Sequence, residues 1–153
     1  MTDFDSGLID LAVRTANTVH AKQVDRAGKP YILHVHDVAL RLEDSNARLT
    51  AYLHDTLEDC TMETRYLVES TLREMPPPVQ RAVRLITRTK SVPYFRYIEL
   101  LSADPIARRV KIADLQSNLS FDRRGGLSDS LRERYEHALE FLCAIEAEYL
   151  KGN

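Results

Sequence analysis

The sequence predicts an all-α protein. Apolar residues recur at helical spacing in nearly every segment, strand-like alternation is almost absent, and Pro and Gly fall mostly at the ends of the periodic runs. With 153 residues and ordinary apolar content, the chain is long enough to bury a sizeable core, and residues 1–153 are expected to form a single compact bundle.

In the first segment Leu8, Leu11, Ala12, Ala16 and Val19 follow helical spacing, with Asp5 or Ser6 as N-cap and an expected end near Val24. Gly28 and Pro30 in DRAGKPYIL interrupt the pattern, so a second helix is expected from near His36 through Arg41. Helical patterns then cover 47–59, 63–73 and 79–87, the last with Val79, Ala82, Val83 and Ile86 along one face. Pro76 to Pro78 form a joint between helices, and Pro93 opens a short helix through Leu101. Asp104-Pro105 pairs a good cap with a residue suited to the first helical position, and that helix should reach Asn118. Gly125-Gly126 mark a loop, after which Ser128 or Ser130 begins a final helix with Leu131, Tyr135, Ala138, Leu142, Ile145 and Tyr149 facing inward. The expected total is about seven or eight helices.

A net charge of −2 and a pI near 6.2 provide no overall attraction to nucleic acid or an anionic bilayer, so any phosphate-binding role must be local. No apolar run approaches the roughly 18 to 20 residues that span a bilayer, and the N-terminus lacks a basic region followed by an apolar stretch. Cys60 and Cys143 lack the spacing of a disulfide framework or a zinc site and are expected to be buried, reduced thiols. The expectation is a soluble cytoplasmic protein without nucleic-acid or membrane partners.

The segment AYLHDTLEDC places one imidazole and three carboxylates between His54 and Asp59, and no Lys or Arg lies between 49 and 64. On a continuous helix, with His54 at zero, Glu58 falls near 40°, Asp55 near 100° and Asp59 near 140°, at about 100° per residue. Leu49, Leu53 and Leu57 take the opposite side, and the small Ala51 lies within the acidic face. A solvated polar face would look the same, but the carboxylates repel one another and a bound cation would offset them. Such an ion needs ligands from other helices, and His34 and Asp114 are candidates. Taken singly, His34 also fits a core or surface histidine, and Asp114 a partner for Arg109 or Lys111.

Together these positions resemble the HD superfamily of metal-dependent phosphohydrolases, and within it the RelA/SpoT-type branch that includes small stand-alone alarmone hydrolases. His20, Gln23, Gly28, Pro30, Tyr31, Ile32 and His34 match its H-x-x-Q and G-x-P-Y-I-x-H patterns; HDTLED at 54–59 matches H-D-x-x-E-D, and VKIADLQSN at 110–118 matches V-K-x-A-D-x-x-x-N. The similarity spans roughly residues 8 to 145. It implies an HD helical bundle with His34, His54, Asp55 and Asp114 as metal ligands, Mn²⁺ as the ion, and Glu58 and Asp59 acting on water and substrate. It further implies a guanosine nucleotide bearing a 3′-pyrophosphate as substrate, with Arg26, Lys111, Asn118 and Tyr135 near it.

Arg26 stands where the branch usually has lysine, which keeps the charge and adds a planar fork. Asp25 stands where it commonly has an arginine that packs on guanine, so Asp25→Arg is expected to help or spare guanosine substrates. His36 departs from the branch and reads as a cap or surface residue, His20 as a packing residue, His137 as exposed, and Arg123 and Arg124 as phosphate contacts or a solvated basic loop. The chain ends soon after the hydrolase-like region, so the nucleotide is expected to be degraded and not made. The competing expectations are an HD phosphohydrolase for another nucleotide or a monoester such as the 2′-phosphate of NADPH, and a non-catalytic nucleotide-binding module.

Overall fold

The computed structural model describes residues 3–152, and among these ten helices form, two of them single turns. The longer ones are α1 (Asp3–Val19), α2 (Ile32–Leu40), α3 (Ser45–Leu53), α5 (Met62–Glu74), α6 (Pro77–Ile86), α7 (Tyr94–Ser102), α8 (Pro105–Asn118) and α10 (Asp129–Lys151); α4 (Thr56–Asp59) and α9 (Phe121–Arg124) are the single turns. The all-α expectation holds: the described residues contain no strand, only an isolated bridge between Val24 and Pro30.

Several elements start where their chemistry dictates. Asp104 Oδ1 accepts from the backbone N–H of Ile106 and Ala107, which leaves Pro105, with no N–H to satisfy, at the first helical position of α8. Ser128 caps α10 by accepting from Leu131 N, and Thr61 and Thr64 form a reciprocal cap on α5.

Four boundaries differ from expectation. Helix α1 already runs at Asp3, so Asp5 and Ser6 lie inside it, and the Asp5 side chain is outside the described residues. It stops at Val19, because His20 to Gln23 turn and Val24 pairs with Pro30. Helix α2 begins at Ile32, because the Pro30 and Tyr31 carbonyls already accept from Leu33 and His34; His34 therefore lies in its first turn. The run at 47–59 breaks at His54-Asp55. There His54 Nδ1 donates to Ala51 O at 2.6 Å and Thr56 Oγ1 to Leu53 O at 2.8 Å, occupying carbonyls that an unbroken helix would use for its own ladder.

Helix α3 runs through the middle of the molecule. Its Ala47 and Ala51 join one apolar cluster with Val38, Ile98, Leu101, Val110 and Leu142, while its Leu49 and Leu53 join a second with Ala12, Val68, Leu72 and Val79. Helix α6 divides in the same way, with Ala82 and Ile86 on one side and Val79 and Val83 on the other. Ala51 is therefore a core residue and not a gap above an acidic face. Burial of each such leucine stabilises the fold by about 1.5–3 kcal/mol, and α3 carries two of them. This packing fixes the end of α3, and with it His54, in the interior.

Ala138 and Leu142 of α10 are buried and Leu131, Tyr135 and Ile145 half-buried, but Tyr149 is exposed, its ring covered on one side by the Arg108 guanidinium at 4.9 Å. Both cysteines are free, as expected, but neither is buried: Cys60 is half-buried and Cys143 exposed, because Cys143 lies off the Ala138–Leu142 stripe. Among the described residues no helix is long and apolar enough to cross a membrane.

Candidate metal centre

Three backbone features bring four expected residues to one place. The first turn of α2 supplies His34, the break after α3 supplies His54 and Asp55, and α8 supplies Asp114. His34 Nε2 lies 2.9 Å from Asp114 Oδ1, and His54 Nε2 lies 2.9 Å from Asp55 Oδ2 and 3.6 Å from Asp114 Oδ1. His34, His54 and Asp114 each offer a ligand atom, all within 4.8 Å of one another, and all three residues are buried.

Both imidazoles are oriented from behind. Because a carbonyl only accepts, His54 Nδ1 carries the proton it gives to Ala51 O, and its Nε2 faces two carboxylates. That Nε2 is buried without a hydrogen bond. His34 Nδ1 meets Ser117 Oγ at 2.9 Å, and Ser117 in turn hydrogen-bonds Asp37. Burial opposes the Asp37 charge, but the bonds from Ser117 and Arg41 outweigh it and hold the carboxyl below its usual range. An oriented imidazole backed by an oxygen is the arrangement by which proteins present histidine to a metal.

The electrostatics point the same way. Burial disfavours a charged His54, yet Asp55 and Asp114 overcome it and raise the imidazole pKa; burial likewise opposes the Asp55 and Asp114 charges, yet His54 and Lys111 respectively overcome it and hold both carboxyls below their usual range. Lys111 Nζ reaches Asp114 Oδ2 at 2.7 Å, and the Tyr31 hydroxyl donates to Asp55. The centre thus holds two carboxylates and two imidazoles where positive charge is favoured, whether as protons on the imidazoles or as a cation in their place. This buried cluster can hold a divalent metal.

Of the other expected site residues, all but Asp59 line two adjoining cavities. One, of about 230 Å³, is lined by Asp55, Asp114, Glu58, Lys111, Arg88 and Tyr94, among others. The second, of about 310 Å³, is lined by Arg26, Asp25, Gln23, Arg123 and Leu127, and Tyr31, Asn118 and Tyr135 border both. Glu58 accepts from Arg88 N at 2.5 Å, and burial lifts its pKa despite that bond. Asp59 turns away from the smaller cavity. It accepts from Gln23 Nε2 at 3.0 Å, and Gln23 Oε1 meets His20 Nδ1 at 2.7 Å; burial raises the Asp59 pKa as well. Glu58 and Asp59 are neighbours in α4, about 100° apart around its turn, so the two carboxylates point to different sides.

His20 is buried as expected, His137 is exposed, and His36 faces the Tyr52 hydroxyl at 3.4 Å from within α2. Sequence reasoning missed roles for Ser117, Arg88 and Tyr94, and left Arg123 open. It also misread Asp25. The Asp25 carboxylate accepts from Ala27 N and Lys29 N with one oxygen and from Arg123 with the other, so it closes the turn that Gly28 completes at φ +80°. An arginine at position 25 would lose all three bonds, which runs against the expectation that this change spares function. Only the turn chemistry of D-R-A-G-K was legible; nothing in the sequence joins positions 25 and 123.

No family model matches the chain. Over 123 residues it is 31% identical to a guanosine-3′,5′-bis(diphosphate) 3′-pyrophosphohydrolase of Aquifex aeolicus (strain VF5), covering 72% of this chain and 17% of that protein. Over 125 residues it is 30% identical to a probable GTP pyrophosphokinase of Mycobacterium leprae (strain TN), covering 73% of this chain and 15% of that protein. The shared stretch is thus less than a fifth of either relative's length. Through the bulk of its own length the chain is thus similar to these two proteins, which is consistent with a RelA/SpoT-type HD domain.

Proposed function

We propose that this protein is a cytoplasmic, divalent-metal-dependent phosphohydrolase that removes the 3′-pyrophosphate of the guanosine alarmones (p)ppGpp. The observation that carries the reading is the buried meeting of His34 Nε2 and His54 Nε2 with the Asp55 and Asp114 carboxylates, in which His54 Nε2 has no hydrogen bond of its own. The name of the Aquifex relative supplies the substrate class.

In this reading His34, His54, Asp55 and Asp114 hold the ion, and two imidazoles with two carboxylates suit a hard or borderline metal such as Mn²⁺. When bound, such an ion polarises a phosphoryl oxygen and makes water a better nucleophile near neutral pH. The remaining steps belong to the chain. Glu58 lines the smaller cavity, and its raised pKa moves it towards the range useful to a general base. Asp59, held by Gln23, positions the water or assists the proton on its way to the leaving group. Lys111 offsets phosphate charge, and Tyr31 fixes the Asp55 carboxylate by donating to it. Arg26, Asn118 and Tyr135 face the larger cavity and contact the rest of the nucleotide.

The test is a panel of ppGpp, NADPH and other phosphoesters against Mn²⁺-loaded protein, with Glu58→Gln beside wild type. Wild type should release pyrophosphate from ppGpp, and Glu58→Gln should keep its metal while losing about 10²- to 10⁴-fold in rate. Intact ppGpp alongside cleavage of another phosphoester would move the substrate elsewhere. Nucleotide binding without turnover anywhere on the panel would leave a binding module.

A further inference from the structure

The larger cavity is walled by two loops that meet edge to edge. On one side is the 25–29 turn; on the other is the segment from α9 to Leu127. They approach so closely that a Cβ on Gly126 would lie 2.8 Å from Arg26 Cβ and 3.0 Å from the Arg26 carbonyl carbon. Arg123 joins them. Its Nη1 donates to Asp25 Oδ2 at 2.7 Å, its Nη2 donates to Asn118 Oδ1 at 3.1 Å, and its guanidinium carbon lies 5.9 Å from the centre of the Tyr31 ring. The side chain is 14% exposed, so this is not a solvated basic loop.

The bonding of that guanidinium decides what it can recognise. A bidentate grip on phosphate uses the edge of the group and its full charge. Here each terminal nitrogen gives one of its two hydrogens to a wall oxygen, Nε is buried without a partner, and a carboxylate 2.7 Å away offsets the charge, which leaves little of the edge for a second anion. What remains for a ligand is the flat face, beside an aromatic ring. Further positive charge lies with Lys111 and Arg88 in the adjoining smaller cavity and with Arg26 in the wall of the larger one. A ligand spanning both would place its phosphates with Lys111 and Arg88 and a planar group against Arg123.

We propose that Arg123 is a base-stacking residue: its guanidinium face packs on the heterocycle of the bound nucleotide, and Asp25 is a positioning residue that holds it in the wall. The inference rests on the nucleotide reading of the site for its ligand class, but not on hydrolysis. Stacking on a planar cation is sequence-tolerant, because every base has a π face, so Arg123 sets affinity for nucleotides over phosphate alone.

The experiment is calorimetric binding of guanosine 5′-diphosphate, adenosine 5′-diphosphate and inorganic pyrophosphate to the full-length chain, as wild type, Arg123→Ala, Arg123→Lys and Asp25→Asn. Arg123→Ala should weaken both nucleotides by about tenfold to a hundredfold and leave pyrophosphate unchanged. Arg123→Lys retains an ion pair with Asp25 and so keeps the loops docked, yet it should behave like the alanine variant because the flat face is gone. Asp25→Asn should give an intermediate loss. Equal losses for nucleotides and pyrophosphate, or rescue by lysine, would make Arg123 a charge contact and overturn the proposal, as would unchanged nucleotide binding. If wild type binds nucleotides with this pattern but leaves ppGpp intact, the hydrolase reading fails and the stacking role stands. If wild type binds neither nucleotide, both fall.

Discussion

Replacing Lys111 by Met separates a charge pair of the fold from the centre it serves. Lys111 Nζ is 2.7 Å from Asp114 Oδ2, with the two side chains 13% and 6% exposed, so the change leaves a buried carboxylate without its main counter-charge. Removing one partner of a buried pair costs about 3–5 kcal/mol, and the surviving bonds of Asp114 to His34 and Asn118 place this case near about 3 kcal/mol. For a chain of this size that is a fall of roughly 6–12 °C in Tm. A divalent ion ligated by Asp114 would supply the missing charge. Thermal unfolding followed by circular dichroism, in EDTA and in saturating Mn²⁺, should therefore show the loss in EDTA and most of it regained with Mn²⁺, with a larger metal-induced rise in the variant than in wild type. An equal deficit in both conditions would mean that no cation reaches Asp114, and no deficit would refute the electrostatic reasoning itself.

Two further outcomes follow from other parts of the fold. Glu146 accepts from Arg108 at 2.6 Å and from Arg109 at 2.7 Å; burial opposes its charge, but these bonds outweigh it and lower its pKa from the ordinary 4.5. A depressed carboxyl stabilises the fold above its unfolded value and loses that contribution as pH falls through the folded one, so Glu146→Gln should flatten the stability profile below about pH 4.5, read by urea unfolding between pH 3 and 6. An unchanged acid limb would contradict this. Gly126→Ala places a methyl against the Arg26 backbone, and the forced separation should cost about 1–3 kcal/mol by differential scanning calorimetry. Unaltered stability would mean that the two loops part freely.

What the sequence made legible is local. Asp104-Pro105, Ser128 and the Val79–Ile86 stripe carry their structural reasons within a few residues, and each element formed as expected. The four candidate ligands were also readable, because the segments around His34, His54-Asp55 and Asp114 each look odd alone and agree together. The helix break was not, since it depends on side chains of His54 and Thr56 taking carbonyls that propensity assigns to the backbone. Beyond the break, within α4, Glu58 lines the smaller cavity while Asp59 accepts from Gln23. Asp25 read as a missing arginine because its partner lies 98 residues away, a distance across which charge complementarity leaves no sequence signal. Cys143 was misplaced for a simpler reason: Leu142 beside it fills the buried position, and a thiol's preference for the interior cannot turn a helix.

The account stands most directly on whether one cation binds between α2, the α3–α4 break and α8. Manganese titration followed by electron paramagnetic resonance, with pulsed detection of ¹⁴N couplings, measures this without reference to catalysis. One ion per chain should show histidine nitrogen couplings that weaken in His34→Ala and again in His54→Ala, with affinity falling in Asp114→Asn. Tight binding that keeps its nitrogen couplings in both histidine variants, or no tight binding to wild type, would contradict it.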